Sequence, residues 1–242
     1  MSDGPLKTAL VTGSTRAIGK AIVIELARAG WHVIINSRRP SGESNDILAL
    51  IRSEGGRADY LSCDVRDESE VNKLFIQIHK RFGAINLLVN NVGLGIKDDW
   101  RELPKAGWMA AFENNLIPAV ICSGHGARSM QTNGAGQIIN VASVRGLEHG
   151  GHPHMVAYSC AKAALINFTK TVAKTLGPNI RMNAVAPGAV FGFSDDGKVP
   201  YDHKLHGNGI DVLDVARGVH FLAESTGITG EVLVIDGGFN LK

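Results

Sequence analysis

The 242-residue chain has almost no excess of charge of either sign. Its 25 basic and 23 acidic residues leave +2, which removes any bulk electrostatic case for binding nucleic acid. The basic residues are scattered, and only Arg38 and Arg39 adjoin near a possible site. Cysteine is scarce. Cys63, Cys122 and Cys160 lie far apart with no C-x-x-C pair, which argues against a disulfide framework and for reduced thiols in a cytoplasmic protein. No uncharged apolar run approaches the roughly 18 residues of a spanning helix. The opening MSDGPLK lacks a charged-then-apolar signal pattern, so no membrane association is expected. No internal repeat, low-complexity tract or Pro/Ser-rich linker divides the chain, and a single domain over 1–242 is expected.

What is present is alternation. Hydrophobic residues make up 44%, enough for a sizeable core, and 29 glycines imply many tight turns. Short apolar runs at 8–11, 32–35, 58–62, 86–89, 137–141, 180–185 and 232–235 read as strands. Those such as "INLLVN" and "QIINVAS" show no polar alternation, as expected of strands buried on both faces. Between them run helical patterns at about 17–29, 43–54, 67–82, 105–131, 157–176 and 211–224. Strand and helix alternating throughout predict an α/β fold. Its form is a Rossmann-like, doubly wound parallel sheet of about seven strands with helices on both faces. The stretch 191–209 is the one long segment without periodicity, a length that compact domains give to functional loops.

The first strand runs into TGSTRAIG, residues 12–19. Gly13 and Gly19 stand where the backbone must turn tightly before a helix. The helix N-terminus beyond offers free N–H groups and a positive dipole end to a pyrophosphate. The G-x-G-x-x-G fingerprint is absent, the spacing being T-G-x-x-x-A-x-G. On these residues alone, an ordinary glycine turn before a helix also stays open. Ala17 is expected in helical conformation with negative φ, where alanine is comfortable.

The second strand ends "IINSRRP", with Ser37 and Arg38 where an NAD-selecting fold carries an acid for the ribose 2′-hydroxyl. The Arg38 guanidinium suits a 2′-phosphate, and Arg16 in the first turn adds a second cation for the same group. A solvated basic strand end is the plainer alternative. NADP(H) is favoured over NAD(H).

In "YSCAK", Tyr158 and Lys162 are four residues apart, on one face of a helix. A phenol near pKa 10 is a poor proton trader at neutral pH, and a neighbouring lysine cation is expected to lower that value. "INVASVRG" ends a buried strand with Ser143, whose hydroxyl at a sheet's carboxyl edge can steady charge on a substrate oxygen. Alone, that serine also reads as a cap of the following turn.

Together these residues resemble the short-chain dehydrogenase/reductase family, most of all its 3-oxoacyl-carrier-protein reductases. The resemblance runs from Thr12 to about Gly238. It rests on TGSTRAIG, "CDV" (63–65), "NNVG" (90–93), "NNL" (114–116), Ser143, YSCAK, "NAVAPG" (183–188) and "ITGEVLVIDGG" (228–238). It implies that Gly13, Ser14, Thr15, Arg16, Ile18 and Gly19 form the cofactor turn, with Ser37 and Arg38 beside it. It implies that Asp64 and Val65 contact the adenine, and that Asn90 and Gly93 wall the cofactor ribose. Pro187, Gly188 and Val190 would flank the nicotinamide. Ser143, Tyr158 and Lys162 become the catalytic set, Lys162 also holding the nicotinamide ribose, and Asn115 supports a water-mediated proton relay to it. The helices at 105–131 and 157–176 would pair with a partner's copies in a dimer, and the C-terminal DGGFNLK would help form a homotetramer.

Four features depart from the family pattern: Ala17 for a glycine, Val92 for an alanine, Gly192 for a threonine, and a longer Ser143-to-Tyr158 interval through "EHGGHPHM". That interval holds His149, His152 and His154, but without a carboxylate pair or cysteine beside them they are read as a rim of the substrate pocket, and no metal is expected. Phe191, Phe193 and Tyr201 would wall the opposite rim of a small or open pocket. The resulting expectation is an NADPH-dependent reductase of a ketone, of 3-oxoacyl type within the resemblance. The alternatives are an NAD-dependent alcohol or sugar dehydrogenase and a non-catalytic NADP-binding regulatory protein.

Overall fold

The protein is described here from a computed structural model, in which residues 6–190 and 209–241 are described. The segment expected to form the substrate loop, apart from Gly209, lies outside them. Seven strands form one sheet: β1 (Thr8–Val11), β2 (His32–Ser37), β3 (Arg57–Ser62), β4 (Leu87–Asn90), β5 (Gly136–Val141), β6 (Ile180–Pro187) and β7 (Val232–Ile235). Their spatial order is 3-2-1-4-5-6-7 and every neighbouring pair is parallel. The order reverses between β1 and β4, and there the chain leaving each carboxyl end diverges and opens a crevice.

Side chains on a strand alternate between faces, so each buried strand feeds two cores. Ala9, Val11, Val33, Ile35, Leu87 and Val89 pack with α1 (Ala17–Arg28), α2 (Gly42–Ser53) and α7 (Val212–Glu224). Leu10, Ile34, Leu88 and Ile138 pack with α3 (Glu68–Phe82), α5 (Ile117–Thr132) and α6 (Val156–Leu176). Each fully buried leucine or isoleucine contributes about 1.5–3 kcal/mol, which fixes register, since a one-residue slip would exchange the two sets.

One expected helix is two. The pattern at 105–131 divides into α4 (Lys105–Asn115) and α5. Leu116 leaves helical geometry at φ −120°, ψ −55°, and Pro118 lies in the first turn of α5, where its missing N–H costs nothing. The break frees Asn115 to bond outside its helix, as described below.

Helix starts divide into two kinds. Ser41 and Ser44 form a reciprocal capping box on α2, Asp67 accepts from the Glu70 amide of α3, and Asp211 accepts from the Leu213 amide of α7. At α1, α4, α5 and α6 the N-cap residues, Arg16, Pro104, Leu116 and Met155, make no side-chain cap bond, and none of these first turns holds an acid. Of these four, α1 and α6 carry the cofactor-turn and YSCAK residues read from the sequence.

Candidate active site

The turn after β1 is held by side chains rather than by its glycines alone. The Asn91 carboxamide donates to the Thr12 and Gly13 carbonyls, both at 3.0 Å. The Asn91 amide donates to Thr12 Oγ1 at 3.0 Å. Asn36 works from the other side, its Nδ2 donating to the Leu61 and Cys63 carbonyls and its carboxamide oxygen accepting from the Gly13 amide. A Cβ on Gly19 would stand 2.6 Å from both Asn91 Nδ2 and the Gly13 oxygen, and one on Gly13 2.9 Å from Val92 Cγ2. The glycines therefore let the two loops of the crevice close on each other. Asn36 did not stand out in the sequence, and Asn91 entered only as a letter of NNVG without a role of its own, because a single asparagine has no local signature of what it will bond.

Ser14 is fully buried, and its hydroxyl donates to the Val11 carbonyl at 2.8 Å while accepting from the Asn36 amide. Its hydroxyl is thereby committed to holding the turn. Thr15 and Ile18 are half-buried and Arg16 is exposed. Ala17 has φ +50°, which overturns the expected negative value. The chain arrives at Arg16 fully extended, at φ −151°, ψ 164°, and a left-handed residue swings it into α1. For alanine that conformation costs about 1–2 kcal/mol.

The first turn of α1 has amides without a side-chain cap, no acid, and an exposed arginine at its head. Among the described residues neither Arg16 nor Arg38 enters an ion pair closer than 4 Å. Uncapped donors and two unpaired cations at one sheet edge fit a phosphate-bearing cofactor. The Ser37 hydroxyl donates to the Arg39 carbonyl and lies 2.9 Å from the Tyr60 phenol, which fixes the strand end that carries Arg38. Asp64 is gripped by both arms of Arg66, at 2.9 and 2.6 Å, and that guanidinium holds its carboxyl below the usual range. Val65 is buried in the core. Asn90 also turns inward: alternation along β4 aims it at α5, where Nδ2 donates to Asn140 Oδ1 at 2.8 Å and Ser123 Oγ at 3.0 Å. Through Nδ2 it ties β4, β5 and α5 together, while its Oδ1 is buried without a hydrogen-bond partner among the described residues.

Two strands from β1 along the edge, Ser143 follows β5 and caps the short 3-10 helix Val144–Gly146 by accepting from the Arg145 amide at 3.2 Å. It also hydrogen-bonds the Tyr158 phenol. Lys162 is buried, its Nζ 2.8 Å from the Val141 carbonyl and 5.8 Å from the centre of the Tyr158 ring. Burial pushes its ammonium down to about 8. Burial also pushes the Tyr158 phenol up, against the Ser143 bond and the Arg145 charge that draw it down. The expected lowering of the phenol by Lys162 is therefore not found, since an ammonium 5.8 Å from the ring centre does not offset desolvation. Arg145, unnoticed in the sequence, is the cation that acts on the phenol.

Asn115 is a staple. Its Nδ2 donates to the Leu94 and Ala111 carbonyls and its Oδ1 accepts from the Leu94 amide. Asn115 Oδ1 and Lys162 Nζ each lie 3.0 Å from where a Gly93 Cβ would stand, so any side chain at this position would crowd both groups. Beyond Leu94 the loop reaches α6, where Asp98 Oδ1 and Oδ2 accept from the Val156 and Ala157 amides at 2.9 and 3.0 Å. Pro187 ends β6. A Cβ on Gly188 would press on Asp236 Cα at 2.9 Å, and Val190 bridges to Ile210. The His154 amide donates to His152 Nδ1, and the two rings lie 5.9 Å apart. His149 points elsewhere, toward Glu148. Among the described residues no three His, Cys, Asp or Glu side chains gather in a metal-binding group, and no helix is long and apolar enough to cross a membrane.

Comparison with known proteins places this geometry. The family model described as short chain dehydrogenase matches residues 7–195. A 3-oxoacyl-[acyl-carrier-protein] reductase of Synechocystis sp. is 33% identical, with 96% of each chain covered. Among solved structures, ElxO with NADP bound superposes with a TM-score of 0.88 at 32% identity, covering 98% of this chain and all of that one. An acetoin dehydrogenase from Enterobacter cloacae gives 0.88 at 29% identity, with 99% and 97% covered.

Proposed function

The chain belongs to the short-chain dehydrogenase/reductase family of oxidoreductases, and from that premise we propose that it is an NADPH-dependent carbonyl reductase acting on a ketone of 3-oxoacyl type. The observation that carries this reading is the pairing of Ser143 with the Tyr158 phenol at the end of β5, with Lys162 behind it. A phenol pushed up by burial stays protonated at neutral pH, which suits a general acid. In the proposed step Ser143 donates a hydrogen bond to the carbonyl oxygen and Tyr158 transfers its proton there. The phenolate that forms is stabilised by the charges of Arg145 and Lys162. Asn115 keeps the loop at Gly93 and Leu94 in place beside Lys162, and this is how it would support the reprotonation of that corner.

A bound nicotinamide cofactor supplies the hydride. Gly13, Thr15, Arg16, Ile18 and Gly19 would take its pyrophosphate at the open start of α1. Arg16 and Arg38 would take a 2′-phosphate, as in a relative whose structure holds NADP. Asp64 and Val65 would meet the adenine, while Pro187, Gly188, Val190 and Lys162 would take the nicotinamide end. The substrate class follows the relative named 3-oxoacyl-[acyl-carrier-protein] reductase. The exposed apolar residues Met109, Ile117 and Val120 on α4 and α5, and Phe221, Val234 and Leu241 near the β7 edge, support two self-association faces and a homotetramer.

The test follows NADPH absorbance with a panel of ketones, acyl thioesters and sugars, for the wild type and Tyr158→Phe. Ketone or 3-oxoacyl turnover that the substitution abolishes is expected. Undiminished turnover in Tyr158→Phe, or higher catalytic efficiency with NADH than NADPH, would overturn the corresponding assignment.

A further inference from the structure

Helix α6 presents Tyr158 in its first turn, yet its own sequence does nothing to fix where that turn begins. Met155 sits at the N-cap at φ −148°, ψ 44° with no capping side chain, and the first turn contains no acid. An N-terminus left in that condition frays within its first turn, because its leading amides have no intrahelical partner. The missing acceptor arrives from 58 residues upstream in the sequence. Asp98 places one carboxylate oxygen on the Val156 amide at 2.9 Å and the other on the Ala157 amide at 3.0 Å. Its own amide donates to the His154 carbonyl at 2.8 Å. Three bonds thus close around the residues just before Tyr158, with a negative charge at the positive end of the helix.

The segment that delivers Asp98 is itself fixed. Leu94 is bonded through both its amide and its carbonyl to the Asn115 carboxamide. Gly95 passes so near α6 that a Cβ there would lie 3.0 Å from Met155 Cε. The chain from Gly93 to Asp98 is therefore a strap: one end lies against Asn115 and Lys162, the other against the amides beside Tyr158. Its neighbour Asp99 takes no part, since Asp99 Oδ1 accepts from the Arg101 amide and its side chain is exposed.

We propose that Asp98 is a positioning residue for Tyr158, its carboxylate serving as a cap supplied from outside the helix that sets the phenol against Ser143 and couples the Gly93–Asp98 strap to proton transfer. The proposal rests on the reading of Tyr158 as proton donor. A cap that only stabilised the fold would lower thermal stability without changing kcat at temperatures where the protein stays folded. A positioning cap lowers kcat while leaving KM and cofactor binding alone, because a displaced acid loses rate rather than affinity.

The experiment compares Asp98→Ala, Asp98→Asn and Asp99→Ala in the full chain. It reads kcat and KM with the best ketone of the panel, NADPH binding by fluorescence, and amide hydrogen exchange over 156–160. Asp98→Ala is expected to lose about 10–100-fold in kcat with KM and NADPH affinity within about 2-fold. Exchange at 156–158 should rise by about 10-fold. Asp98→Asn keeps one acceptor oxygen and should fall between, which also covers an alanine variant that does not fold; Asp99→Ala should match the wild type. The proposal is overturned if Asp98→Asn and Asp98→Ala keep wild-type kcat, if Asp99→Ala costs as much as Asp98→Ala, or if exchange at 156–158 does not change. Should the wild type reduce no carbonyl at all, the functional reading fails by itself, and the exchange experiment still decides whether Asp98 fixes the start of α6.

Discussion

Helices α1 and α6 begin at the same edge of the same sheet, and neither brings a capping side chain of its own. Their outcomes differ. The first amides of α6 are closed by the Asp98 carboxylate, while those of α1 meet no side-chain cap and follow Arg16, which enters no ion pair among the described residues. The contrast shows how one structural element serves two purposes. An N-terminus kept for an anion must be free of protein carboxylates, because the same donors and the same dipole end would bind them first. An N-terminus that presents a reacting side chain has to be closed, because fraying there moves the phenol.

Removing what the closed end presents should have the largest effect. Lys162→Met is expected to lower kcat by about 10²–10⁴-fold in the NADPH absorbance assay, with the protein still folded by circular dichroism. Next, making α1 resemble α6 tests the open end: Arg16→Asp supplies a cap and removes a cation. NADPH affinity should fall by about 30-fold or more while the helix gains about 1 kcal/mol; unchanged affinity in a fluorescence titration would refute the role given to this turn.

A smaller effect comes from the Lys162 charge. Its folded value of about 8 lies below the unfolded value near 10.5. Between these the unfolded chain retains a proton that the fold has released, so the group makes the fold more stable as pH rises through that window. Below pH 8 the cost of burying the charge is felt in full. Urea midpoints at pH 7.5 and 9.5 should show wild type gaining about 1–2 kcal/mol relative to Lys162→Met over that interval. Last, Ala17→Gly relieves the left-handed alanine at the open end and should raise Tm by about 2–4 °C, close to 1 kcal/mol.

Much of this framework was legible in the chain itself. Continuous apolar runs located all seven strands of the observed sheet to within two residues, because a strand buried on both faces has little freedom in composition. Tyr158 and Lys162 were legible because four residues is a helical repeat. Asn36, Asn91, Asp98 and Arg145 were not, since each acts on chain segments brought near it by the fold, and a single asparagine or aspartate carries no mark of what it will meet. The break at Leu116 was hidden as well: Pro118 is compatible with a helix start as well as a helix end, and only the bonds from Asn115 to Leu94 give the break its purpose.

By itself, then, the sequence determined the order of strands and helices, the two-sided core, and the presence of a serine, a tyrosine and a lysine at one sheet edge. Those follow from periodicity and hydrophobicity, which are local. Tertiary structure decided which helix start stays open and which is closed, turned Ser14 and Asn90 inward, forced Ala17 to positive φ, and set the ionisation of Tyr158 and Lys162. Those depend on desolvation and on partners distant in the chain, and no local pattern encodes them.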